Sequence, residues 1–185
     1  MSYEFADGYK IRDQGGTHFL TFSFMGWIDI FSRKVYRDIL LDSFSFCRQH
    51  KGLLVGAYVI MTNHVHVIGT AKHENLSDIV RDFKSFTSKK IIETMQTEVE
   101  SRREWFDYMF KYFAAPSSRH EYYRLWTGDN HPELIYSPDF LMTKLNYIHM
   151  NPVRAGIVEV PEHYIYSSAS NYVLGKGVME IDYLY

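Results

Sequence analysis

Two histidines one residue apart, His64 and His66, sit in the run YVIMTNHVHVIGT (58–70), which is otherwise dominated by Val, Ile and Tyr. On a strand, alternate side chains face the same way, so both imidazoles project together while Val65 and Val67 face oppositely. At a strand rise their backbones stand roughly 7 Å apart, and the two rings can grip one cation between them. The competing reading is a hydrogen-bonded histidine pair on a half-exposed face. A second set lies near the other end. Tyr147 and Asn151 are four apart, and Lys144 precedes the tyrosine by three, so a helix carries all three on one stripe while His149 points elsewhere. Pro152 disfavours helical geometry at Asn151, which places that amide at a helix end. One amide oxygen with two imidazole nitrogens leaves positions open for water and phosphate oxygens. Mg²⁺ prefers oxygen ligands and Mn²⁺ accepts imidazole more readily, so either ion suits the set. A tyrosine among 15, and an Asn-Pro pair that merely stops a helix, are the plain alternatives.

The elements that must position these residues follow from periodicity. Residues 17–24 (THFLTFSF) read as a strand, and 29–50 as a helix through Ile30, Val35, Ile39, Leu40, Phe44 and Phe46. Residues 52–62 and 64–71 make two antiparallel strands joined at Thr62-Asn63. Leu76, Ile79, Val80, Phe83, Phe86 and Ile91 define an amphipathic helix with Asn75 or Ser77 as its cap. Residues 96–123 read as a helix or an irregular insertion, and a strand is expected near 123–126. A last helix begins at Pro138 and Asp139 and stops at Pro152. This order predicts an α+β, ferredoxin-like split β-α-β fold: an antiparallel sheet with helices on one face, plus a C-terminal helix carrying the tyrosine. One catalytic domain should span 1–185, with its core at about 17–158 and a tail at 159–185.

Composition narrows the class. The chain is 46% hydrophobic and 17% aromatic, enough for a core. Cys47 is the only cysteine, which excludes an internal disulfide and suits a reducing compartment; on a helix it reads as a small apolar residue. No apolar run spans a bilayer, and the opening MSYEFADGYK carries charge where a signal peptide needs its apolar stretch, so a soluble cytoplasmic protein is expected. A net charge of -2 argues against a non-specific coat on nucleic acid but leaves room for local basic surfaces: Arg81 to Lys90, Arg102 with Arg103, and Lys144 with Arg154. Each of these also reads as a solvated helix face.

Taken together, the motifs resemble a known family. MTNHVHVIGT is similar to the His-hydrophobic-His motif of HUH endonucleases. LSDIVRDFKSFTSKKI and KLNYIHMNPVRAGIV resemble helices of single-tyrosine transposases, particularly the bacterial REP-associated tyrosine transposase branch, and YIYSSASNY resembles that branch's tail. The likeness runs from about residue 17 to 172 and is weakest over 96–123. It implies an enzyme that nicks and rejoins single-stranded DNA, often beside a hairpin, through a 5′-phosphotyrosine. Carried over by position, Tyr147 is the nucleophile, His64 and His66 bind a divalent cation (Mg²⁺ or Mn²⁺), and Asn151 is the third ligand. Relatives commonly carry Gln at that last position, and proline where this chain has Thr62. A phenol attacks poorly at neutral pH unless its phenolate is stabilised, a task that falls to the metal and Lys144. Arg81, Lys84, Lys89, Lys90 and Arg154 are the expected phosphate contacts, and Phe83, Phe86, Trp105 and Trp126 the candidates for base stacking or core packing. Relatives include dimers that share active sites and others that act alone, so a homodimer is one option. Two other functions fit the same residues: a non-catalytic hairpin-binding protein, and a metal-dependent phosphoesterase that uses water.

Overall fold

Residues 10–115 and 122–184 are described by a computed structural model. The opening stretch and 116–121 of the insertion lie outside them. Along the chain come β1 (His18–Ser23), α1 (Lys34–Lys51), β2 (Leu53–Ile60), β3 (His64–Ala71), α2 (Leu76–Thr97), α3 (Arg103–Ala114), β4 (Glu133–Leu134), α4 (Pro138–Arg154) and α5 (Ala169–Leu174). The sheet order is β2-β3-β1-β4 with every neighbouring pair antiparallel. β1 and β2 therefore run parallel with β3 between them, joined by α1 as a crossover. This is the expected ferredoxin-like arrangement.

Strand alternation separates core from site. Across β1 and β3, Phe22 pairs with Val65 and Leu20 with Val67. This face meets α1 and α2: Phe22 lies 5.7 Å from Phe83, which stacks on Phe44 at 4.4 Å. The intervening pairs, Thr21 with His66 and Ser23 with His64, turn to the opposite face. That face carries α4 and its tyrosine. Helices thus cover both sides, two on the core face and one on the histidine face.

Local sequence explains most boundaries. Buried Tyr36, Ile39, Leu40, Phe44 and Cys47 recur at three and four along α1, which ends at Gly52 in the left-handed conformation (φ 73°). Ser137 starts α4, its hydroxyl accepting from the Phe140 amide at 3.2 Å ahead of Pro138. At α2 the cap position is Asn75, but its side chain makes no capping bond; distant Gln14 does so, its Oε1 accepting from the Ser77 amide at 2.8 Å.

Three boundaries depart from expectation. α1 starts at Lys34, because Ile30–Ser32 form a separate 3₁₀ turn. No ladder strand forms at 123–126. Only Trp126 bridges Phe24 there, and β4 comes later, where Glu133 and Leu134 pair with β1. Helix α4 runs through Pro152 to Arg154: the proline forfeits one i→i−4 bond near the end, and Ala155 and Gly156 close the helix on the Asn151 and Val153 carbonyls. Asn151 is accordingly helical.

The tail belongs to the same core. Tyr166 accepts from the Ile60 amide at 2.9 Å, Ser168 donates to the Tyr58 carbonyl at 2.9 Å, and the Tyr164 hydroxyl donates to the Ile60 carbonyl at 2.7 Å. Together they cover the outer edge of β2, which would otherwise offer unpaired backbone groups. Among the described residues no helix is long and apolar enough to cross a membrane.

Candidate active site

The histidine face and α4 enclose a cavity of about 560 Å³ lined by Phe19, Thr21, Trp27, His64, His66, Glu133, Lys144, Tyr147 and Asn151. β3 supplies the imidazoles, with ring centres 4.8 Å apart. Helix α4 supplies the rest of the expected set. The Tyr147 ring meets His66 edge-on at 5.2 Å and Phe19 at 5.8 Å, and stays 39% exposed. All of these lining side chains come from one chain. Two cations flank the phenol's surroundings. The Arg154 guanidinium lies 5.5 Å from the Tyr147 ring centre, two turns along the same helix. Lys144 donates to Glu133 at 2.6 Å while its ammonium sits 4.5 Å from the Phe19 ring centre.

The imidazoles are held in the neutral form. Burial, then the charges of His64 and Lys144, push His66 down to about 3; burial also lowers His64. His66 Nδ1 lies 2.9 Å from Thr21 Oγ1, and His64 Nδ1 lies 2.6 Å from Asn63 Oδ1. With ring protons on both Nδ1 atoms, each Nε2 keeps its lone pair for the cavity. His66 Nε2 is buried and has no hydrogen-bond partner among the described residues. An orphaned imidazole nitrogen aimed at a cavity that also holds an amide fits a divalent cation well. Among the described residues no three His, Cys, Asp or Glu side chains cluster. An ion here would therefore use two imidazoles and the Asn151 amide, and draw its other oxygens from water or substrate.

Not every expected residue reaches this cavity. α2 packs behind the sheet, so Arg81, Lys89 and Lys90 stand on the far side from the histidines. Arg81 is engaged with Asp78 and Asp82, and Lys90 with Glu93. Of the four aromatics read as stacking or core residues, Phe83 and Trp126 take the core role: they are 3% and 5% exposed, and the Trp126 indole donates to Thr87. Phe86 and Trp105 are exposed, yet neither lines the cavity. Glu133, Thr21, Phe19 and Trp27 were not foreseen. The alternation that picked out His64 also reaches Phe19 and Thr21 once β1 is registered against β3, whereas nothing in the sequence aligns Glu133 with Lys144.

Lys84 also turns inward, donating to the Thr127 carbonyl at 3.0 Å over the Phe22 ring, so its ammonium is not displayed to a phosphate. Burial pushes it down to about 8 against the pull of Asp129. An unfolded lysine titrates at about 10.4. Between those values the unfolded chain holds the proton and the folded chain does not, so stability should rise with pH. Urea unfolding at roughly pH 7.5 and roughly pH 9.5 should show the native chain gaining on the order of 1–2 kcal/mol relative to Lys84→Met. Equal pH responses would mean that the ammonium is solvated.

The sequence matches the family described as Transposase IS200 like over residues 28–125, more than half of the chain. Among solved structures, one of a REP-associated tyrosine transposase bound to a REP hairpin aligns with a TM-score of 0.61 at 16% identity, covering 91% of this chain and 86% of that one. A second, of a candidate transposase from Deinococcus radiodurans R1, aligns with a TM-score of 0.42 at 17% identity over 80% of this chain and 95% of that one. No curated protein matches the sequence.

Proposed function

Because this chain belongs to the IS200-like transposase family, we propose that its cavity nicks and rejoins single-stranded DNA beside a hairpin through a 5′-phosphotyrosine on Tyr147. The observation that carries the reading is the meeting of Tyr147 with His64 and His66 in one cavity. The resemblance of the motifs to the REP-associated branch, and the hairpin held by the structurally similar protein, support hairpin DNA as the substrate.

Tyr147 Oη attacks the scissile phosphorus, a new P–O bond forms, and the bond to the 3′ oxygen breaks. The phenol gives up its proton and the departing 3′ oxygen takes one up, so a 3′-hydroxyl is released. The phosphotyrosine keeps the phosphodiester energy, and attack by another 3′-hydroxyl reverses the step without ATP. Arg154 places positive charge where the phosphate enters, beside the Lys144–Glu133 ion pair. A divalent ion held by His64, His66 and Asn151 would polarise the scissile phosphate and neutralise charge developing on its oxygens. Thr21 Oγ1, 2.9 Å from His66 Nδ1, holds the ring's orientation. Thr21→Val, similar in shape, should weaken Mn²⁺ binding by roughly 10–100-fold in titration calorimetry, and unchanged affinity would remove Thr21 from that role.

The deciding experiment incubates the protein with a hairpin-bearing single-stranded oligonucleotide, labelled at its 3′ end, and Mn²⁺. On a denaturing gel the label should migrate as a covalent protein adduct. Nicking without an adduct would make the protein a hydrolase that uses water, and binding without nicking would leave a recognition module.

A further inference from the structure

We propose that Trp27 is a fixed platform on which one base of the DNA strand stacks as its neighbouring phosphate enters the cavity. This rests on the reading of the cavity as a DNA-processing site and adds a positioning residue to it.

Trp27 is 65% exposed yet lines the cavity, with its ring 5.9 Å from His64. An indole left so open contributes little to the core. Its backbone is nevertheless held in a costly shape: Trp27 has φ 54°, a region that bulky side chains avoid, and follows Gly26 at φ 62°. Gly26 suits the turn on two counts, because a Cβ there would meet both this backbone strain and, at 2.5 Å, the tip of the Phe113 ring. The surrounding backbone pins the turn. The Phe24 amide donates to the Asn63 carbonyl at 2.9 Å, the Met25 amide to Leu125 at 2.7 Å, and the Phe31 amide to Thr62 at 2.9 Å. A strained, anchored turn that ends in an exposed aromatic beside a ligand cavity is organised for something outside the chain.

Asn63 ties this turn to the histidine pair. Its Nδ2 donates to the Trp27 carbonyl at 3.3 Å, and its Oδ1 faces His64 Nδ1 at 2.6 Å. One amide thus sets the ring of His64 and braces the platform, so a base on Trp27 is registered against the histidine pair beside which its phosphate enters. An aromatic face accepts any base, so this contact fixes the strand's position without reading its sequence.

The test is an abasic scan. A series of hairpin oligonucleotides, each lacking one base near the nick site, is titrated with the native protein, Trp27→Ala and Trp27→Leu by fluorescence anisotropy, with thermal melting of each variant as a check on folding. The native protein should lose about tenfold in affinity at one position of the series. Both variants should bind the intact strand about tenfold more weakly and be indifferent to base removal at that position alone. Should Trp27→Ala fail to fold, Trp27→Leu decides, because it keeps an apolar side chain and removes only the aromatic face. Native-like binding by the variants overturns the proposal, as does an equal loss at every position, which would mark Trp27 as merely structural. If the native protein binds none of the oligonucleotides, the DNA reading itself fails. If it binds and nicks with no position linked to Trp27, only the platform fails.

Discussion

Replacing Tyr147 with Phe is expected to abolish the covalent DNA adduct and to slow strand cleavage by at least about 10³-fold, while hairpin affinity stays within about threefold. The substitution removes one oxygen. The edge contacts to His66 and Phe19, and the Arg154 guanidinium beside the ring, all involve ring carbons that phenylalanine retains. With the side chain partly exposed, the cost to stability should stay below about 1 kcal/mol, so loss of chemistry would not be loss of fold. Denaturing gels report the adduct, product quantification the rate, and anisotropy the affinity. An adduct that survives Tyr147→Phe would assign the nucleophile to another tyrosine. A parallel collapse of affinity would make Tyr147 a binding residue first.

Much of this site was legible because it is built on regular elements. A period of two places His64 and His66 on one side of β3, and the β1 register sets Thr21 opposite His66 across the sheet. A spacing of four likewise put Tyr147 and Asn151 on one stripe of α4, and both line the cavity. The helix outlives Pro152 without harm to that prediction, because the proline comes after the residues that matter.

The errors arise where tertiary contact overrides local pattern. Lys84 looks like a surface cation on an amphipathic helix, but its stem follows Phe22 inward to the Thr127 carbonyl. Glu133 lies on a two-residue strand with no period to detect, and its meeting with Lys144 depends on how β4 is hung on β1. Trp27 is invisible for another reason: positive φ at a tryptophan is imposed by the anchors around it. Proximity of α2 to the histidine strand in the chain also misled, since neighbouring elements here occupy opposite faces of one sheet.

His66→Ala should separate chemistry from recognition. The expected result is loss of cleavage by about three orders of magnitude or more, the scale of several kcal/mol of charge stabilisation, with hairpin affinity within a few-fold of native. His66 is the sharper choice than His64, because its Nε2 is the buried nitrogen left without a partner, and its ring stacks on Phe19 at 5.2 Å, out of reach of the solvent that DNA must displace. Metal binding can be read without turnover. At about 100 times its Kd, Mn²⁺ should stabilise the native fold by about 2.7 kcal/mol, which for a chain of this size raises Tm by roughly 5–10 °C. His66→Ala should lose that rise while melting cooperatively without metal. Because burial already keeps His66 neutral down to about pH 3, metal affinity between roughly pH 6 and 8 should not be limited by protonation of this ring. Should Mn²⁺ stabilise His66→Ala as much as the native chain, the ion binds elsewhere, and the histidine pair would have to act on the phosphate through hydrogen bonds alone.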